Sequence, residues 1–373
     1  MNIPMNDLRR AYQADAVEID AAVDRVVSSG WYALGPEVQS FESDFAKYCG
    51  VNHAIGVGNG TDALVLSLQC LGIGPGDEVI TAPNAGGYSS AAIYAVGATP
   101  VYADIDPITL TIDPTSAASL VTPAVKAIIA THLFGSLADV TALRTIADES
   151  GTKLVEDCAQ AHGATLNGVK AGAFGDVATF SFYPSKNLGA IGDAGAVVTS
   201  DDDLAKAIGQ LRQYGWDQKY TVARPGGGNS RLDPIQAAVL QARLSRLDER
   251  NARRRELVSQ YAEALGPLGM PIYRSQGDSY VGHLCVTSHP QRDDLRKHLA
   301  DSGIATDIHY PILDPDQPGW QGFKSRSDGL PVSKQMGQNI LSLPMFPEMS
   351  DEEHRYVCQS VASFSGMVSS GVS

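Results

Sequence analysis

The stretch His53-Ala-Ile-Gly56-Val-Gly58-Asn59-Gly60-Thr61-Asp62-Ala63-Leu64 begins as a short apolar run and passes through glycines into a helical pattern. A strand that ends in glycines just before a helix starts is a βα unit. Working outward, further strands are predicted at Glu78–Thr81, Thr99–Ala103, Val125–Ala130, Lys153–Glu156, Val177–Ser181 and Ala196–Thr199. Helical patterns at Asp62–Leu71 and Leu137–Glu149 lie between some of them. The alternation predicts an α/β fold built on a largely parallel sheet with helices on both faces. Such sheets bind ligands outside the carboxyl ends of their strands. Gly58–Thr61, Asp157 and Ser181 all fall at such ends, so the chemistry is expected along one edge.

The chain has 373 residues, which favours one large and one smaller domain. A formal charge of −14 disfavours nucleic acid or an anionic membrane as the general partner, though not a small anionic ligand at a helix N-terminus. No basic segment followed by an apolar core opens the sequence, and no run of about eighteen apolar residues occurs, so neither a secretory leader nor a membrane span is expected. The five cysteines are scattered and lack CxxC spacing, which suits a reduced cytoplasm and neither a zinc site nor a disulfide framework. Cys158 reads as a small buried residue at a strand end.

Asp233-Pro234 is a helix start, and one helix of about thirty residues, roughly 45 Å, is predicted from there toward Leu265. Arg246, Arg250 and Arg253 to Arg255 read as its solvated face. The domain boundary is placed inside it, giving a large domain over residues 1–245 and a small one over 246–373. The Gly/Ser-rich tail 363–373 is expected to be mobile.

Three segments carry chemistry. The turn at Gly58–Thr61 either cups a phosphate with free backbone N–H groups and the Thr61 hydroxyl, or is an ordinary βα turn capped by Thr61. In Glu156-Asp157-Cys-Ala-Gln160-Ala-His162, Asp157 caps a helix, makes a structural ion pair or holds a heteroaromatic nitrogen protonated. His162 has no second histidine at ligand spacing, so it reads as a packing or substrate residue, and no metal site is expected. In Ser181-Phe-Tyr183-Pro-Ser-Lys186-Asn-Leu-Gly, a lysine removed from water could condense with an aldehyde.

Gly60-Thr61-Asp62-Ala63, Glu156-Asp157-x-x-Gln160, Ser181-Phe-Tyr-Pro-x-Lys186-Asn-Leu-Gly and Gly228-Asn229-Ser230-Arg231-Leu232-Asp233 occur in this order. Together they resemble the pyridoxal-phosphate sugar aminotransferases of the DegT/StrS type, over about Gly35 to Pro347. The resemblance implies a fold type I transferase: a large cofactor domain, a smaller C-terminal α+β domain, and a homodimer with shared active sites. It implies that Lys186 condenses with the cofactor aldehyde, Asp157 pairs with the pyridinium nitrogen and Gln160 bonds the ring's 3-hydroxyl oxygen. Gly60, Thr61 and Ser181 would hold the phosphate, with Asn229 reaching it from the neighbouring subunit. Substrate contacts fall to His162, Tyr183, Arg231, His309 and Tyr310. The implied substrates are a nucleotide-diphosphate-linked keto sugar, more in keeping with a 3-keto than a 4-keto hexose, and glutamate as amino donor.

The chain also departs from that pattern. Many relatives carry a ring-stacking aromatic where Gly86 stands in Pro83-Asn-Ala-Gly86-Gly87-Tyr88, and Tyr88 is the candidate substitute. Asp193-Ala194-Gly195 replaces the usual Asp-Gly-Gly, and Pro315 stands where many members have a second histidine. Two other classes remain. A related dehydratase would carry histidine in place of Lys186. A ligand sensor without catalysis is disfavoured by the joint retention of Lys186, Asp157, Gln160, Ser181 and Asn229.

Overall fold

The computed structural model describes residues 1–370; residues 371–373, the end of the tail expected to be mobile, lie outside the described residues. The helix Asp351–Ser370 includes residues 363–370 of that tail.

The centre is an eight-stranded sheet. Its strands are β1 (His53–Val57), β2 (Glu78–Thr81), β3 (Thr99–Tyr102), β4 (Val125–Thr131), β5 (Lys153–Asp157), β6 (Val177–Ser181) and β7 (Gly195–Thr199). A separate pair, β8 (Cys285–Ser288) with β10 (Ile340–Leu343), forms a second antiparallel ribbon, and β9 (Arg326–Ser327) completes the edge of the large sheet. The order is β1-β7-β6-β5-β4-β2-β3-β9, and β7 alone runs against the others. The strands predicted from sequence match to within a residue at each end. They are legible because strands buried on both faces read as continuous apolar runs.

Alternation along the strands sorts side chains onto two faces. Val79, Ala127, Ile129, Val155, Val177 and Val197 pack with Leu64, Leu68 and Ile208 from the helices Gly60–Cys70 and Asp202–Leu211. On the opposite face, Ile80, Val101, Ile128 and Leu154 pack against Leu143 and Ala147 of the helix Val140–Ser150. A further core joins Leu257, Tyr261, Leu295, Leu341 and Phe346 with Ile3, so the N-terminal residues pack among C-terminal elements.

The long helix expected from Pro234 is two helices, Pro234–Leu244 and Leu247–Leu265. Arg246 leaves helical geometry at the break, and its guanidinium bonds the Ala14 carbonyl at 2.9 Å and Asp15 at 2.7 Å. A tertiary anchor interrupts a sequence that has no local breaker. The solvated-face expectation also fails in part. Arg250 bonds the buried Asp15 at 2.6 Å, and Arg254 is buried with its Nη1 on the Gly282 carbonyl at 3.3 Å. Arg253 and Arg255 remain at the surface, paired with Asp351 and Asp278.

Among the described residues, no helix is long and apolar enough to cross a membrane.

Candidate active site

The last residue of β4, β5 and β6 is Thr131, Asp157 and Ser181. Thr131 pairs in register with Asp157, and Asp157 with Thr179, two residues before Ser181. Period-two alternation therefore brings all three side chains to the same sheet face at its carboxyl edge. The helix Gly60–Cys70 covers that face, with its N-terminus at the same edge. Between them opens a cavity of about 660 Å³, whose walls include Gly60, Thr61, Asp157, Gln160, Ser181 and Lys186.

Asn59, not Thr61, caps the helix, its side chain accepting from Asp62 N–H at 2.8 Å. The Thr61 side chain is thereby free of the capping role. Gly60 is required by close approach: a Cβ there would lie 2.7 Å from the Ser181 Cβ. Gly195 is required for the same reason, since β7 passes under the turn and a Cβ would meet the Asn59 carbonyl carbon at 2.4 Å. The result is a helix N-terminus, two hydroxyls and no side chain in the way, which is what a phosphate needs.

Asp157 is buried at the cavity wall, where its Oδ1 accepts from Ala159 N–H at 3.1 Å and Thr131 Oγ1 lies 3.5 Å from its Oδ2. Burial pushes its carboxyl pKa up; the Ala159 N–H and the Lys186 charge oppose this. Lys186 is held by a turn in which its N–H donates to the Tyr183 carbonyl at 2.8 Å. Desolvation lowers its amine pKa to about 8, against the opposing pull of Asp157. A lysine so placed is available as a nucleophile near neutrality.

The neighbour of Asp157 faces the other way. Glu156 accepts from Gly172 N–H at 3.0 Å and from Phe174 and Gly175 N–H at 2.7 Å each, with His132 Nε2 at 3.0 Å. His132, Glu156 and Cys158 cluster closely enough to suggest a metal site, but the Glu156 oxygens are already committed to backbone donors. Burial raises the Cys158 thiol pKa well above its ordinary value, which fits packing and not nucleophilic use.

Gln160 has a determined orientation. Its Oε1 accepts from Phe134 N–H at 2.6 Å, so the amide nitrogen must be its other arm, and Nε2 donates to the Tyr310 hydroxyl at 3.1 Å. Tyr183, Tyr88, His309 and Tyr310 line the same cavity. His309 Nδ1 lies 2.9 Å from Ser342 Oγ, and burial lowers its pKa.

Three of the candidate residues do not line this chain's own cavity. His162 is 0% exposed, its ring packed 5.3 and 5.6 Å from those of Phe180 and Phe182, and burial drives its pKa to about 3. It packs beneath the site and does not reach the cavity. Arg231 does not line the cavity. Asn229 is exposed, paired through its backbone with Gln213, and is absent from this chain's own cavity wall.

Other wall residues were not foreseen, among them Met5, Asn6, Thr131, His283 and Asp307. Of these only Thr131 had a signal, as the residue just after the predicted strand Val125–Ala130. His283 comes from a loop nearly one hundred residues beyond the lysine, its Nδ1 3.0 Å from Asn187 Oδ1.

The donor set fits pyridoxal 5′-phosphate: an amine for its aldehyde, a carboxylate for its ring nitrogen, an amide for its ring oxygen and a glycine-lined helix start for its phosphate. Comparisons with known proteins agree. The chain is 44% identical over 369 residues, 98% of its length and 97% of the relative's, to dTDP-3-amino-3,4,6-trideoxy-alpha-D-glucose transaminase of Streptomyces venezuelae. It is also 44% identical over 360 residues, 96% of this chain and 98% of the other, to dTDP-3-amino-3,6-dideoxy-alpha-D-galactopyranose transaminase of Aneurinibacillus thermoaerophilus. The crystal structure of S. venezuelae DesV in complex with a ketimine intermediate superposes with a TM-score of 0.94 at 44% identity, covering 98% of each chain. The profile of the DegT/DnrJ/EryC1/StrS aminotransferase family matches residues 13–362, and this chain, a pyridoxal-phosphate enzyme, belongs to that family.

Proposed function

We propose that this enzyme moves an amino group from glutamate to the 3-keto carbon of a nucleotide-diphosphate-linked deoxy sugar, as a cytoplasmic homodimer. The observation that carries the transamination chemistry is the pairing of Lys186 and Asp157 at one cavity. When bound, the cofactor supplies an electron sink that stabilises carbanion charge. Asp157 keeps its ring nitrogen protonated, because a close buried carboxylate favours the cationic form. Lys186, with its amine pKa near 8, can both accept and return a proton near neutral pH, so it serves as base and then as acid at the substrate carbon. Thr61, Ser181 and the N–H groups at Gly60 and Thr61 fix the phosphate end. The sugar and its nucleotide then occupy the remainder of the cavity, along Tyr183, His309 and Tyr310.

The 3-keto assignment is supported by the two named transaminases above, whose products carry the amino group at carbon 3. The shared-site dimer is supported by exposed Trp31, Tyr32, Tyr214, Tyr220 and Val222 together with Asn229, which stands away from its own cavity. Glutamate should bleach the visible band of the holoenzyme, and one sugar from a panel of nucleotide-linked 3-keto and 4-keto hexoses should restore it. Restoration by 4-keto sugars alone would refute the regiochemistry, and a protein that takes up no cofactor would refute the whole reading.

A further inference from the structure

Five ring-bearing side chains line the cavity: Tyr88, Tyr183, His283, His309 and Tyr310. A flat aromatic cofactor gains most from a ring laid against its face, and such a ring has to be held still. Tyr183 and Tyr88 are 55% and 51% exposed, and Tyr88 meets Tyr310 edge-on, with centroids 6.2 Å apart at 77°. The imidazoles of His283 and His309 are turned to Asn187 and Ser342. Tyr310 differs from all four. Its hydroxyl takes the Gln160 amide hydrogen at 3.1 Å, and the phenol end of its ring lies on Gly86.

Gly86 makes this possible. Its φ is +73°, and a Cβ there would stand 2.9 Å from both Cε1 and Cζ of Tyr310. Any side chain at position 86 would therefore compete with Tyr310 for one space. The segment that carries Tyr310 is fastened to the same loop. Asp314 N–H donates to the Pro83 carbonyl at 2.7 Å, and its carboxylate accepts from Gly87 N–H at 2.8 Å and from Ser90 Oγ at 2.5 Å. Trp320 closes over Gly87, where a Cβ would be 2.9 Å from the indole. Two glycines on one loop thus receive two aromatic rings from a segment more than two hundred residues away.

Gln160 adds a second consequence. With Oε1 committed to Phe134 N–H and one amide hydrogen committed to Tyr310, a single N–H remains, and Gln160 lines the cavity. We propose that Tyr310, not Tyr88, is the ring that covers the cofactor's face, and that its hydroxyl is a positioning group that fixes Gln160 with its remaining N–H toward the cofactor's ring oxygen. The proposal rests on the Lys186, Asp157 and Gln160 cradle described above.

The test is reconstitution of apoprotein with pyridoxal 5′-phosphate, followed by cofactor affinity and pH titration of the visible band. Tyr310→Phe keeps the ring and loses the hydroxyl. Its affinity should stay within about twofold of wild type, while the midpoint of the band rises by about 0.5 pH or more, because a weaker donor to the ring oxygen favours the protonated chromophore. Tyr310→Ala should bind about 3- to 10-fold more weakly, the scale of a lost aromatic contact. Tyr88→Ala should lose less affinity than Tyr310→Ala and shift the midpoint less than Tyr310→Phe. Loss of affinity in Tyr88→Ala with none in Tyr310→Ala would overturn the covering role. An unshifted titration in Tyr310→Phe would overturn the positioning role, and that isosteric variant decides the question even if Tyr310→Ala does not fold. A wild-type protein with no visible band, or one whose band survives unchanged in Lys186→Ala, would instead defeat the cradle itself, a result distinct from silent Tyr310 variants beside an intact wild-type band.

Discussion

Glu156 and Asp157 are adjacent on β5 and face opposite sides of the sheet: Glu156 takes three backbone N–H groups and His132, and Asp157 opens onto the cavity that holds Lys186. Two carboxylates of equal charge therefore have separable duties. Asp157→Asn should fold normally and lose turnover by about 100-fold or more, because an amide cannot hold the ring nitrogen protonated. Glu156→Gln should lose stability by about 3 kcal/mol, since its NH₂ would face backbone donors inside the protein. Denaturant midpoints and turnover measured on both variants check this. Equal losses of stability in the two would refute the division.

Desolvation sets the working range of Lys186. Its amine is depressed to about 8, so the neutral, nucleophilic form grows as pH rises through that value. Capture of the cofactor by apoprotein should accelerate from pH 6 and level off above about 9, with a midpoint near 8. Because Asp157 opposes the depression, Asp157→Asn should move the midpoint lower still. Stopped-flow absorbance across pH measures both, and a midpoint near the ordinary lysine value would exclude a desolvated amine. Lys186→Ala should retain cofactor binding and show no multiple turnover.

The sheet and the cofactor end of the site were legible for one reason. Apolar runs, strand ends and the glycine turn at Gly58–Thr61 are local signals, and parallel topology forces strand ends to one edge. What failed was long-range. The break at Arg246, the pairing of Arg250 and the burial of Arg254 follow from Asp15, Glu348 and Gly282, partners that spacing along a helix does not reveal. His162 read from sequence as a packing or substrate residue, and spacing could not choose between the two. Its burial between Phe180 and Phe182 depends on a different strand. Gly86 is a visible departure in the sequence, but the ring that covers it comes from position 310.

Asp314 gives the loop contact a pH signature. Burial raises its pKa from 3.8 to about 7. Between those values the folded protein keeps a proton that the unfolded chain has released, so stability falls as pH rises through the window and the loss is complete above about 7. Asp314→Asn keeps an acceptor for Gly87 N–H and has nothing to titrate. The stability of wild type relative to this variant should therefore decline from pH 4 to pH 7 and then stay level. Urea midpoints at pH 5 and pH 8 test it; a constant difference would show that Asp314 ionises normally.

The proposed shared-site dimer makes a sharper demand. If Asn229 completes the phosphate site of the neighbouring subunit, Lys186→Ala and Asn229→Ala each disable both sites of their own homodimer. Mixed and reassembled in equal amounts, half of the dimers are heterodimers. In each of those, one site receives both substitutions and the other receives neither. Activity should therefore return to about a quarter of wild type, a consequence of two-fold symmetry alone. If Asn229 acts within its own chain, every site in the mixture carries one lesion and no activity returns. The measurement is turnover after co-refolding, with single-variant samples taken through the same procedure to fix the baseline.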